Sequence, residues 1–138
     1  MRMGAEEAVL KKLGLDFEVL DSSCCGMADI FGFEKAHYGM SIKCSERVLL
    51  PAVRNAAKDS LIIANGFSCQ EQIAQTTDRQ ALHLAQVIQM ALHEGSSGPV
   101  GEYPEAEYIT QATHSSLSRP SIAVGMSAGL LLLGAVVI

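Results

Sequence analysis

No run of basic residues occurs in the chain, and no aromatic patch is interleaved with Lys or Arg. With a net charge of −5, the chain has no electrostatic footprint for nucleic acid. No N-terminal signal peptide is expected, and Cys24, Cys25, Cys44 and Cys69 lack the spacing of a secreted disulfide framework. A reducing compartment and metal use fit such cysteines better. A Cys-x-x-Cys pair is missing too, because Gln72 stands three residues after Cys69; structural zinc sites commonly use two such pairs. There is no internal repeat, and 138 residues make about one domain.

What is there centres on residues 21 to 34, Asp-Ser-Ser-Cys-Cys-Gly-Met-Ala-Asp-Ile-Phe-Gly-Phe-Glu. Adjacent side chains diverge on a strand or a helix, so Cys24 and Cys25 face one point only where the backbone turns tightly. Gly26 permits that turn, since without a Cβ it reaches positive φ at little cost. Gly32, between two phenylalanines, marks a second close backbone approach. Two thiolates aimed at a metal or cluster are the functional reading of this stretch. Two small buried hydrophobes are the structural alternative.

The flanking sequence reads as α/β, a small parallel sheet with covering helices. Residues 4 to 13 form a helix with Glu6 and Glu7 in the first turn and Lys11 and Lys12 in the last, a polarity that complements the helix dipole. Asp16 to Leu20 is a strand running into the cysteine turn. From Glu34 to about Ala57 the pattern is helical, with two helices meeting near Pro51. Leu61 to Asn65 is an apolar run of the kind expected of a parallel strand covered on both faces, followed at once by Gly66-Phe67-Ser68-Cys69. Asp78 is the expected N-cap of a further helix, on which Ala81, Leu84, Ala85, Ile88, Ala91 and Leu92 recur at helical spacing. The domain therefore covers 1–93. Residues 94–120, rich in Gly and Ser and holding three of the four prolines, read as a flexible linker.

A strand–helix–strand unit normally joins parallel strands by a right-handed crossover. Cys24 and Cys25 follow the first strand and Cys69 follows the second. All three should then lie at the carboxyl edge of the sheet, where open α/β sheets bind ligands. Cys44 falls inside a helix, and its expected role is a buried or half-buried thiol outside the site. Three convergent sulfurs beside a turn rich in glycine and small residues, Ser22 to Ala28, favour an iron–sulfur cluster over zinc, because the turn's backbone N–H groups can bond cluster-ligating sulfurs. One ligand is then missing. His37, His83, His93 and His114 are explained by helix packing, a helix end or the linker, and none is expected to be a ligand.

Five segments occur in the order found in a known family. They are Asp-Ser-Ser-Cys-Cys-Gly-Met-Ala (21–28), Phe-Gly-Phe-Glu-Lys-Ala-His-Tyr (31–38), Leu-Leu-Pro-Ala-Val-Arg (49–54), Asn-Gly-Phe-Ser-Cys (65–69) and Ala-Leu-His-Leu-Ala (81–85). Over about residues 5–93 the chain resembles the cysteine-rich "CCG" domain near the C-terminus of FAD-linked oxidases of the D-lactate and glycolate type. Related domains occur in the iron–sulfur subunit of anaerobic glycerol-3-phosphate dehydrogenase and in heterodisulfide reductase. The resemblance implies an iron–sulfur electron-transfer module, of the 4Fe–4S kind, with Cys24, Cys25 and Cys69 as its ligands and no catalytic residue of its own. It implies FAD only in the larger parent protein or a partner, and a quinone or cytochrome as acceptor. The family carries a His-x-His-Cys-His-like segment upstream, which is expected to supply the fourth thiolate. Asp29 and Ile30 stand where the family has small residues. A non-catalytic fragment or interaction subunit, or a structural zinc module, is the alternative function.

Residues 121–138 carry no charge and form an apolar tail. As a helix it would extend about 27 Å at 1.5 Å per residue, close to the roughly 30 Å hydrocarbon core of a bilayer. The expectation is a C-terminal membrane helix that leaves the α/β domain in the cytoplasm, anchored to the inner membrane.

Overall fold

The computed structural model describes residues 4–22, 24–95, 101–106, 108–109 and 134–137. In chain order they form α1 (Gly4–Lys12), β1 (Asp16–Val19), a short 3₁₀ turn (Phe31–Phe33), α2 (Tyr38–Ser45), α3 (Leu49–Asn55), β2 (Leu61–Ile63), α4 (Phe67–Thr76), β3 (Ala81–Leu82), α5 (Leu84–Glu94) and β4 (Gly134–Val137). The strands make a four-stranded sheet in the order β1-β4-β2-β3, with all three neighbouring pairs parallel. The α/β class read from the sequence is the one observed.

Strand β2 shows why the sheet is covered on both sides. Its three residues are all buried, and successive side chains alternate between faces. Leu61 and Ile63 join Leu10, Leu82, Val87 and Met90 on one face. Ile62 joins Leu49, Leu50, Val53 and Ile73 on the other. Helices α1 and α5 thus pack on one side, α3 and α4 on the opposite side. Full burial of a side chain such as Ile62 contributes about 1.5–3 kcal/mol.

Three sequence expectations are corrected. The break in the 34–57 helical stretch falls at residues 46–48, and Pro51 lies in the first turn of α3. The first four N–H groups of a helix have no intrahelical partner, so proline removes nothing there. Helix α4 follows β2 over Phe67–Thr76, a stretch to which the sequence reading assigned no element. The helix expected from Asp78 begins later: Ala81–Leu82 is a strand, and His83 is the N-cap of α5. Its Nδ1 accepts from Ala85 N–H at 3.1 Å, while its own N–H donates to Gln86 Oε1 at 2.8 Å.

The third correction concerns the apolar tail. Gly134–Val137 is a strand between β1 and β2, with Val136 beside Glu18 and Ile62 and Val137 beside Val19 and Ile63. β-Branched residues suit an interior parallel strand, and this slot satisfies backbone on both sides. The rest of the expected tail helix, 121–133 and 138, lies outside the described residues. No helix among the described residues is long and apolar enough to cross a membrane.

The part of the expected linker that is described packs onto this body. Tyr108 and Ile109 lie against the α1/α5 core, and Glu105 is buried. Arg79 Nε bonds Glu105 Oε1 at 2.5 Å with both side chains almost wholly buried. The same guanidinium donates to the carbonyls of Ala57 and Ser60 and lies 5.1 Å from the Tyr103 ring centroid. Removing one partner of a buried pair leaves the other charge uncompensated. Arg79→Ala should therefore destabilise the chain by about 3–5 kcal/mol, read as a lower urea midpoint. An unchanged midpoint would show that 101–106 docks by other means.

Candidate cysteine-cluster site

Both β1 and β2 end at the carboxyl edge of the sheet, with β4 between them. The 21–34 segment leaves β1 there, and α4 begins there after β2. Cys69 is the third residue of α4, whose N-cap is Gly66. Parallel topology thus brings the two cysteine segments to one edge, as the strand order in the sequence implied.

The turn itself is shaped by close packing on α2. Gly26 has φ +84°, and a Cβ added to it would stand 2.1 Å from the Ser41 carbonyl oxygen and 3.2 Å from Cys44 Cβ. Gly32 is equally confined: its Cβ would meet Met27 Sδ at 2.6 Å and Ser41 Oγ at 2.7 Å. Met27 is buried between these contacts. Ala28 and Asp29 follow with φ of 42° and 60°, a left-handed geometry that costs a non-glycine residue about 1–2 kcal/mol. The backbone N–H groups of such a turn can point to one side and make an anion-binding nest.

Cys25 occupies that nest. Its pKa falls from the ordinary 9.0 to about 6, chiefly because the Cys69 thiol donates a hydrogen bond to it. Burial opposes this shift, while the backbone N–H groups of Met27, Ala28 and Cys25 itself add to it. The Cys69 thiol is pushed up, first by that bond to Cys25, then by burial and by the charges of Cys25 and Cys24. Of the two sulfurs, Cys25 is thus the one on which negative charge is favoured. Cys24 is exposed, and its Sγ accepts from Gly26 N–H at 3.3 Å.

Cys44 lies nearer this site than its helical position suggested. With Cys24, Asp21, Ser22, Arg47 and Val48 it lines a cavity of about 220 Å³. Gln72 is buried and donates to Ser45 Oγ at 3.0 Å, so α4 is tied to the end of α2 one residue from Cys44. Ser41 and Gln72 were not singled out by the sequence. Gln72 had a signal, a polar residue one turn after Cys69; Ser41 had none. Ile30 is 66% exposed. His37 contacts Glu34 at 2.7 Å and stacks on Phe31, and His83 is a helix cap, as described above.

Among the described residues, no three His, Cys, Asp or Glu side chains are gathered closely enough to hold a single metal ion. The donor chemistry nevertheless fits a polynuclear cluster. Its thiolates each bind a different iron, so they need not meet at one point. Soft sulfur donors, one already ionised and bonded by backbone N–H groups, meet that requirement in kind.

Fold and site together define an open parallel α/β unit with a thiol cluster at its carboxyl edge. Comparison with known proteins agrees with a redox setting. The chain is similar to a subunit of the anaerobic glycerol-3-phosphate dehydrogenase of Escherichia coli, at 31% identity over 81 residues, 57% of this chain and 19% of that protein. It is also similar to D-2-hydroxyglutarate dehydrogenase of Pseudomonas putida, at 29% identity over 82 residues, 59% of this chain and 8% of that protein. The chain therefore spans less than a fifth of the length of these relatives. No family model matches it, and no solved structure does.

Two outcomes follow from the geometry. Gly26→Ala places a Cβ on backbone at a positive φ, and strain of this kind costs about 1–3 kcal/mol. Thermal unfolding should show the loss; a variant as stable as the parent would mean that α2 can move aside. In the metal-free, reduced chain, alkylation of Cys25 by iodoacetamide should rise as pH passes about 6. Cys69→Ala removes the donated proton, so the rise should move toward higher pH. An unmoved profile would assign the low pKa to the backbone N–H groups alone.

Proposed function

We propose that the chain is an iron–sulfur electron-transfer module of an FAD-linked oxidoreductase, with Cys24, Cys25 and Cys69 among the ligands of a 4Fe–4S cluster. The observation that carries this reading is the meeting, at one carboxyl edge of the parallel sheet, of the Cys24–Cys25 turn after β1 and of Cys69 in the first turn of α4. A bound cluster supplies one-electron transfer, with a potential set by hydrogen bonds to its sulfurs and by exposure. The residues of this chain hold the sulfurs, aim the N–H groups at them and shield one side with Met27.

The relatives support the setting. Both are dehydrogenases or a subunit of one by name, and dehydrogenation releases two electrons that must be passed on. Flavins bridge two-electron and one-electron chemistry, so the partner in this reading is an FAD-binding oxidase segment or subunit. A quinone or cytochrome takes the electrons onward. The chain itself is not catalytic. A structural zinc module is the weaker reading, because zinc needs its ligands around a single ion, and no such grouping occurs among the described residues.

Anaerobic reconstitution with ferrous iron and sulfide tests the proposal, with an external thiol such as 2-mercaptoethanol present to fill any open ligand position. The chain should take up iron and acid-labile sulfide together and turn brown. Cys25→Ser and Cys69→Ser should each abolish uptake. Zinc binding with no sulfide-containing species would overturn the assignment.

A further inference from the structure

We infer that the cavity beside α2 is a modification site, in which Cys24 forms a mixed disulfide with a small amino-acid disulfide such as cystine. The inference goes beyond the cluster reading and concerns the metal-free, reduced chain, in which Cys24 is a free thiol. Cys24 is the exposed member of the four cysteines, and the other three are half-buried. It lines a cavity of about 220 Å³ with Asp21, Ser22, Cys44, Arg47 and Val48. That volume is below the roughly 300 Å³ at which pockets for drug-sized ligands begin, so the occupant is a small molecule.

The lining selects the class of molecule. Arg47 offers a cation, Asp21 an anion and Ser22 a hydroxyl to one small space. Among the described residues neither Arg47 nor Asp21 belongs to an ion pair, so both charges are open to a ligand. An α-amino acid carries a carboxylate and an ammonium on one carbon, the complement of that pair. Val48 adds an apolar wall for its methylene, and a sulfur-bearing amino acid has its sulfur left over for Cys24. The exchange needs no further reagent. The Cys24 thiolate attacks one sulfur of the disulfide, and the old S–S bond breaks as the new one forms. The other half leaves as a thiolate and takes up the proton that Cys24 released. Cys24 is thereby oxidised and the departing half reduced. Gly26 N–H, 3.3 Å from Cys24 Sγ, is a donor to the attacking sulfur.

Exchange rates with three small disulfides test this. The full chain, reduced and stripped of metal, is mixed anaerobically with cystine, with cystamine, which lacks the carboxylates, or with dithiodipropionate, which lacks the ammonium groups. Fragment-ion mass spectrometry follows initial adduct formation at Cys24 separately from the other cysteines. Cystine should react fastest at Cys24. Arg47→Gln should slow cystine by about three- to tenfold, the scale of a partly exposed charged hydrogen bond, and leave cystamine unchanged. Asp21→Asn should slow cystine and spare dithiodipropionate. Iodoacetamide carries neither charge, so it should alkylate Cys24 equally in the parent and both variants, which separates lost recognition from lost folding. Equal rates for the three disulfides in the parent chain overturn the inference without recourse to any variant. A cystine rate at Cys24 indifferent to both substitutions, or adducts confined to the other cysteines, also overturns it. None of these outcomes bears on the cluster reading, since no iron or sulfide takes part.

Discussion

Gly26 lies against the Ser41 carbonyl with no room for a side chain between them. That contact brings the cysteine turn down onto α2, and the positions of the sulfurs depend on it. Once Gly26 is fixed, Cys24 and Cys25 diverge, one toward the cavity and one toward the α3/α4 core, against which Cys25 packs. Met27 is buried beneath them, and Gly32 closes against it. The strain at Ala28 and Asp29 persists because these contacts over-determine the turn.

Charge in the site follows from the same geometry. A lone cysteine at neutral pH is mostly protonated. Here the Cys69 thiol donates to Cys25 and lowers its pKa first, and the backbone N–H groups of Met27, Ala28 and Cys25 add to that. Cys69 sits in the first turn of α4, where the helix dipole is positive and favours nearby anions. The turn and the helix thus meet with complementary electrostatics. Such an arrangement suits thiolate ligands and sulfur-based redox chemistry alike, and the relatives are dehydrogenases or a subunit of one by name.

The remainder of the molecule keeps the two cysteine segments at a fixed spacing. Strand β4 fills the gap between β1 and β2, so the turn after β1 and the helix after β2 are separated by the width of a strand. Asn65, just past β2, accepts from Leu84 N–H at 3.0 Å and ties that edge to α5. On the opposite end, Arg79 gathers Glu105 and the carbonyls of Ala57 and Ser60, closing the α/β body where no cysteine lies.

By itself the sequence determined the features with short-range causes. The dipole-matched charges of α1, the all-apolar β2 and the left-handed turn at Gly26 are set by neighbouring residues, and each was legible. So was the arrival of Cys24, Cys25 and Cys69 at one edge, since parallel strands share a direction. Long-range packing decided the rest. Residues 134–137 are apolar in a way that suits a helix or a strand, and only the open slot between β1 and β2 selects the strand. Asp78 is as good a local cap as His83, but Ala81–Leu82 pairs with β2 first and delays the helix. Cys44 looked detached because helical periodicity describes one element at a time. What sets it beside Cys24 is the docking of α2 on a glycine eighteen residues away in sequence, a contact that exists only once the chain has folded.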